Sequence, residues 1–483
     1  MAAREDIVLG IDLGTSNICV AIYRNGTFET IADGNGHKIT PSYVAFNDDG
    51  RAFGKQAKKE CFANPKNTLH SLKRIIGKRM NDPEVTENAA RWPFRVVDFE
   101  GQAAVQITEN DMVRILTPED VASMLLRYVK TFAEEYLSVP ITQAVLRIIN
   151  EPTAAALAYG LHRIGSETLM VVDFGGGTLD VSILKITDGQ SFQVLTTSGD
   201  MRLGGDDFDE RILQHFRTEF ETTHKVSLKD HAEALSKLRQ EAELAKLAIA
   251  GGSDKYRVAI PYLDGRRNFH SGITAVQFNT ICEDLFARVA GPVREALLQC
   301  EMQPGEISQI VMVGGSSRLP QVEHVLRQIF PDQVIHRDIN PDEAIACGAA
   351  VFGHTLSANN VNKLAVVEVV PRALGTDVVG GWMATVVQKN AVIPCRESRI
   401  FTTSYNNCPT VHFGVYEGDA RKVVDNRLLD EMVLTGITRG PAGTPRIEVT
   451  FDYDRDGILK VTAMDLDTNS AADGFREDPN KGR

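Results

Sequence analysis

The sequence predicts an α/β domain followed by a smaller all-β sandwich, and three observations carry that prediction. Residues 6 to about 357 alternate β-branched runs with helical periods, as strands packed against helices require. Beyond about residue 370 the texture changes to short β runs set apart by turn residues. In the first part, three strands run directly into glycine turns. At 483 residues the chain also exceeds what one hydrophobic core serves, so two or three domains are expected.

In chain order, IVLGID and ICVAIYRNG predict strands, and DVASMLLRYVKTFAEEYL predicts a helix. TLMVVDFGGGTLDVSILKI places strand material on both sides of three glycines. DHAEALSKLRQEAELAKLAIA predicts a second helix, in which Leu235, Leu238, Ala242, Ala245 and Ile249 recur at three- and four-residue steps and form a buried stripe. After HTLSANN, the apolar KLAVVEVVP is either an edge strand of the β part or a linker. RIFTTSYNN, TVHFGVYEG and RIEVTFDYDRDGILKVTAMD are β runs. The last is a hairpin in which Ile447, Val449, Phe451 and Tyr453 alternate before a turn at Asp456-Gly457. The expected boundaries are 1–360 for the α/β domain, 361–371 for the linker and 372–467 for the sandwich. Residues 468–483 have too few apolar side chains to pack and are expected to be disordered.

Composition narrows the class. Hydrophobic content of 43% with 24% charged residues is that of a soluble globular protein, and no apolar run spans a bilayer. A formal net charge of −12 argues against a nucleic-acid partner. The start, MAAREDIVLG, lacks the basic and apolar regions of a secretory signal, and the end, EDPNKGR, is no retention signal. The seven cysteines stand singly with no metal-ligand spacing, which suits a reducing cytoplasm or the nucleus.

The chemistry lies in the three turns. VVDFGGGTLDVS bares the amides of Gly175, Gly176 and Gly177 between Asp173 and Asp180. On its own it fits a phosphate-holding turn and a plain hairpin turn equally well. LGIDLGTSN supplies Asp12, Gly14, Thr15 and Ser16, and IVMVGGSSRLP supplies Gly314, Gly315, Ser316 and Arg318. In the first two turns amides and hydroxyls suit phosphate oxygens, and the aspartates suit magnesium held through water. The third suits a base and ribose, with Arg318 stacked over an adenine. No glycine is followed by Lys-Ser or Lys-Thr at P-loop spacing. The order is that of the phosphate-1, phosphate-2 and adenosine segments of the actin, sugar-kinase and heat-shock ATPase fold.

IDLGTSNICVAI, INEPTAAALAYGL, DFGGGTLDVS, GGDDFD, VGGSSRLP and INPDEAIACGAAV, in this order, closely resemble the seventy-kilodalton heat-shock chaperone family of cytosolic eukaryotic type. The resemblance extends to about residue 467 and implies an actin-like two-lobed ATPase domain ahead of a peptide-binding β-sandwich. It implies ATP or ADP with Mg2+ as cofactors. Unfolded or nascent polypeptides, J-domain co-chaperones and nucleotide-exchange factors are the implied partners. Matched position by position, Gly14, Thr15 and Ser16 contact the β- and γ-phosphates with Asn17 in the same loop, and Asp12 and Asp173 are the magnesium-shell acids. Lys73 matches the catalytic lysine, Glu151 a residue orienting water, and Thr178 a hydroxyl beside the γ-phosphate, with Asp180 a neighbouring acid. Gly204, Gly205, Glu243, Lys246, Gly315, Ser316, Arg318 and Asp342 match pocket positions. Without the resemblance, Lys73 reads as a solvated helix residue and Glu243 with Lys246 as a surface pair.

The same resemblance makes Leu364, Ala365, Val366 and Val367 the interdomain linker, with Glu368 where an aspartate is usual. It assigns Thr376, Val379, Phe401, Val411, Phe413 and Ile447 to a peptide cleft, while periodicity alone leaves them as core residues. Thr376 stands where an aliphatic is usual. Set against the family pattern, two segments are expected to be missing: a strand, a proline, an arginine and a helix between VPITQAV and LRIINEPTAAA, at Val145–Leu146, and the helical lid after the β-sandwich. Loss of a central strand costs several kcal/mol against a stability of about 5–15 kcal/mol, leaving hydrolysis open to impairment. The alternative is a degenerate, non-hydrolysing nucleotide-binding scaffold or regulator. A small-metabolite kinase is disfavoured by the β-sandwich and linker.

Overall fold

The computed structural model describes residues 7–48, 50–141, 148–160, 166–188, 191–337, 339–356, 365–455 and 457–472. They pack as two units. The first takes in the described residues up to 356 except 148–149 and 191–197, and the second takes 365–472 with those two short stretches.

The first unit is mixed α/β. Leu9–Leu13 pairs antiparallel with Asn17–Arg24, from Leu9↔Ile22 to Leu13↔Ile18, so a tight turn falls at residues 14–16. Ile18, Val20 and Ile22 point into a core shared with Val44, Phe46, Val105 and Val129. Glu167–Phe174 pairs antiparallel with Leu179–Thr187 and parallel with Gln309–Val313, which pairs parallel with Val334–His336. Asp173 therefore sits directly opposite Asp180, and the glycines between them close a hairpin. The hairpin and phosphate-turn readings of this stretch are thus compatible.

The runs of small residues explain how the elements come so close. A Cβ on Gly348, in the helix Ala344–Leu356, would lie 1.6 Å from the Ala154 carbonyl oxygen in the helix Glu151–Gly160. A Cβ on Gly10 would lie 2.1 Å from the Ala350 nitrogen. Only bare backbone lets helix Ala344–Leu356 lie on both partners. The predicted helix near residue 120 runs Pro118–Leu137 and starts at Thr117 with a capping box to Asp120. In helix Ala232–Ala250 the buried stripe is Leu238, Ala242, Ala245 and Ile249, with Leu235 half-buried at its edge.

The second unit holds two four-stranded antiparallel sheets. One orders Trp382–Val387, Leu374–Val378, Thr410–Glu417 and Arg427–Thr435; the other orders Cys395–Phe401, Ile447–Tyr453, Leu459–Asp465 and Ala471–Ala472. Leu374, Val387, Val415 and Leu434 of the first meet Ile447, Val449, Phe451 and Val461 of the second in one core. The hairpin expected near Asp456-Gly457 is present, with Gly457 at φ +74°; Asp456 lies outside the described residues.

One boundary differs from expectation. Ala471–Ala472 is not disordered: it adds a short strand to Leu459–Asp465, because Asp465 accepts from the amides of Asp467 and Thr468 and turns the chain back. KLAVVEVVP, expected as an edge strand or, by the resemblance, as a linker, contains the strand Ala365–Val369, paired parallel with Ser191–Gln193 and antiparallel with Val392–Ile393. Its β-branched run finds partners on both edges. Leu364 and the Val145–Leu146 join lie outside the described residues. Among the described residues, Leu9–Leu13 pairs along one edge only, with Asn17–Arg24.

Candidate active site

A cleft of about 230 Å³ in the first unit is lined by all three glycine turns. Asp12, Gly14, Thr15, Ser16 and Asn17 form one wall, Asp173, Gly175, Gly176, Gly177 and Thr178 a second, and Gly314, Gly315 and Asp342 a third. Lys73 and Glu151 complete it.

The turns fit because the glycines leave no room for anything larger. A Cβ on Gly176 would fall 1.9 Å from Ser16 Oγ, and one on Gly177 2.9 Å from Thr15 Oγ1. A Cβ on Gly204 would fall 2.3 Å from the Gly176 carbonyl oxygen. Gly314 adopts φ +79°, and a side chain there would strike the Phe174 carbonyl and Asp173 Oδ1. Hydrogen bonds tie the stack together. Ser316 Oγ donates to the Gly175 carbonyl at 2.8 Å, and the Gly205 and Asp206 amides donate to the Gly175 and Gly176 carbonyls at 3.0 and 2.9 Å.

The charges at the bottom of the cleft are poised. Burial first, and then the charge of Glu151, push the Asp12 carboxyl up to about 7. Burial, Glu151, Asp180 and Asp12 push Asp173 well above the usual carboxylate range. Asp173 Oδ2 is buried with no hydrogen-bond partner. Two desolvated acids with an orphaned oxygen fit a divalent cation. Among the described residues no three acid, histidine or cysteine side chains close a metal shell, so water or ligand oxygens would have to supply the rest. Lys73 Nζ bonds Glu151 Oε1 at 2.8 Å. Burial pushes its ammonium down, and the carboxylates of Glu151, Asp12 and Asp173 more than offset that, so it stays charged. Cys19 also lines the cleft, but burial, followed by the charge of Asp12, pushes its thiol far up and leaves it inert.

Other expected residues stand apart from the cleft walls. Gly204, Gly205 and Ser316 lie in the stack that supports the turns. Lys246 Nζ donates to the Gly205 carbonyl and to Asp209 at 3.0 and 2.6 Å. Arg318 donates to Asn340 and Asp342. Glu243 pairs with Lys58 at 2.5 Å.

The cleft also holds residues the sequence did not single out: Arg74, Lys78, Glu84, Arg91, Arg202 and Asp207. They pair across it, Lys78 and Arg202 with Glu84 and Arg91 with Asp207 at 2.9 Å. The available signals were Arg74 beside Lys73 in LKRIIGK and the double acid of GGDDFD.

In the second unit Phe413 and Ile447 are buried in the core, with Phe401 and Val411 half-buried against it. Thr376 is buried, and its hydroxyl has no partner. Val379, in the turn after Leu374–Val378, is 80% exposed. The predicted cleft residues thus divide between core and surface.

Comparison with known proteins adds a family. The family model described as Hsp70 protein matches residues 8–146 and 144–478. The chain is 39% identical to heat shock cognate 70 kDa protein 3 of Dictyostelium discoideum over 495 residues, covering 95% of this chain and 78% of that protein. It is 38% identical to the heat shock 70 kDa protein of Neurospora crassa over 492 residues, with 95% and 76% covered. Heat shock 70 kDa protein 2 of Paracoccidioides lutzii is also 38% identical over 492 residues, with 95% and 75% covered.

Proposed function

Because the chain belongs to the Hsp70 family, whose members are nucleotide-driven chaperones, we propose that its cleft binds ATP with magnesium and hydrolyses it to regulate the grip of the β unit on exposed hydrophobic segments of unfolded polypeptide. The observation that carries this reading is the meeting of Asp12, Lys73, Glu151 and Asp173 in one cleft walled by three glycine turns.

The roles follow from position. Turn amides at Thr15 and Ser16 and at Gly176 to Thr178 bind the phosphates; the amides of Gly14 and Gly175, expected to be bare, instead close their turns on the Asn17 and Thr178 carbonyls at 2.9 and 3.1 Å. Asp12 and Asp173 would hold Mg2+, which supplies neutralisation of the charge that builds on the phosphate oxygens. Lys73 stabilises the same charge, and Glu151, held 2.8 Å from it, orients the attacking water. Thr178 offers its hydroxyl to the transferred phosphoryl. The adenosine end belongs to Gly315, Arg318, Asp342, Glu243 and Lys246. Arg318, Glu243 and Lys246 are each held by an ion pair, with Asp342, Lys58 and Asp209 respectively. In the β unit, Thr376, Val379, Phe401, Val411, Phe413 and Ile447 are assigned to the peptide site, where apolar side chains of an extended segment would be held. J-domain co-chaperones and exchange factors are the partners this reading implies, working in the cytoplasm or nucleus. The intact Lys73, Glu151 and Asp173 set supports a hydrolysing protein over a degenerate scaffold.

Calorimetry at millimolar nucleotide tests the first step: MgATP is expected to bind, and no detectable heat sinks the reading. Single-turnover hydrolysis compared with Lys73→Ala tests the second, since equal rates in both proteins leave only a nucleotide-binding scaffold.

A further inference from the structure

Arg74 follows Lys73 in the short turn Leu72–Arg74 and lines the cleft with only 11% of its side chain exposed. One of its nitrogens, Nη2, does all the structural work. It donates to the Gly176 carbonyl and to Asp206 Oδ2, both at 3.3 Å, and lies 3.7 Å from Asp207. Asp206 in turn accepts from Ser16 Oγ at 3.1 Å. Arg74 is thereby aimed by groups from two phosphate-holding turns and from the start of helix Gly205–His224.

A guanidinium has five N–H donors in a planar fork. Among the described residues, Nε and Nη1 of Arg74 have no hydrogen-bond partner. A half-satisfied guanidinium, held at one corner and facing a cleft of bare amides, is arranged to take an oxyanion. From this geometry we infer that Arg74 is a further catalytic residue. Its free edge donates to the oxygens of the transferred phosphoryl, alongside Lys73, while Asp206 is the positioning residue that aims it. No bond to Arg74 is made or broken; it adds hydrogen bonds that strengthen as charge develops on the phosphoryl oxygens. The inference rests on the ATPase reading given above.

The experiment is single-turnover and steady-state ATP hydrolysis, with magnesium, by the full chain and by Arg74→Ala, Arg74→Lys and Asp206→Asn. Arg74→Ala is expected to lower kcat about 100-fold with the KM for MgATP changed less than about threefold, the size expected for one lost transition-state donor. Millimolar guanidinium should restore part of that rate in Arg74→Ala alone. Arg74→Lys should not, because an ammonium has no fork. Asp206→Asn should lower kcat about 10-fold, since a misaimed group loses part of its effect. Two results overturn the inference. One is a kcat for Arg74→Ala within about twofold of the parent; the other is a loss that guanidinium leaves unrescued and that comes with a matching fall in melting temperature. A parent protein without hydrolysis would instead remove the ATPase reading, and this inference with it.

Discussion

Lys73 Nζ lies 2.8 Å from Glu151 Oε1, joining a short turn to the first residue of a helix seventy-eight positions later. Both side chains are more than a third exposed, so the pair contributes only about 0–1 kcal/mol to stability. The role proposed for it is chemical, and Lys73→Ala separates the two. The variant should melt within a few degrees of the parent and slow single-turnover hydrolysis about 10²- to 10³-fold. A large fall in melting temperature with unchanged hydrolysis would show that the pair is structural.

Asp173 carries a buried carboxylate that its surroundings disfavour. Its raised folded value means that ionisation at neutral pH weakens the nucleotide-free fold, so Asp173→Asn should raise the melting temperature of that form. The same change should weaken ADP binding with magnesium while leaving binding in a chelator unchanged. Calorimetry in both buffers reads the difference, and equal magnesium dependence in parent and variant would end the role given to this acid.

Gly176→Ala should separate the turns at Gly14–Ser16 and Gly175–Thr178, since its Cβ would fall 1.9 Å from Ser16 Oγ. A cost of about 1–3 kcal/mol in denaturant unfolding is expected, with loss of nucleotide binding. Adding Ser16→Gly should return part of the stability, because it removes the clash. Additive costs in the double variant would place the strain elsewhere.

His70 is buried, with its ring 4.9 Å from Tyr43 in a stacked pair and edge-on to Phe94. Burial, ahead of the charge of Arg239, pushes its imidazole down to about 3 from 6.5. The unfolded chain therefore binds the proton first, so this stability is present above pH 6.5 and is lost as pH falls toward 3. His70→Phe should flatten that part of the stability profile relative to the parent. Parallel profiles between pH 6.5 and 4 would contradict it.

Phe451 is fully buried between the two sheets of the second unit. Phe451→Ala should cost about 3–5 kcal/mol in the unfolding of that unit. Nucleotide binding, which we assign to the first unit, should persist, and calorimetry with ADP checks this.

Much of the architecture was legible from local pattern. Alternation placed the hairpin that pairs Ile447–Tyr453 with Leu459–Asp465. The strand at Ala365–Val369 and the added pair Ala471–Ala472 were less legible, because each is defined by its partner strands rather than by its own residues. Arg74 illustrates the same limit at the site. Nothing in LKRIIGK says which of its cations meets Gly176 and Asp206 and which pairs with Glu151.

By itself the sequence determined where bare backbone occurs and which acids and hydroxyls flank it, because turn chemistry and periodicity are set within a few residues. Tertiary structure decided which turns meet, as when Gly176 lies against Ser16, and which charges are buried, as when Asp173 loses water without gaining a partner. The physical reason is that desolvation and contact depend on atoms far apart in the chain, and these come together only when the sheets and helices pack.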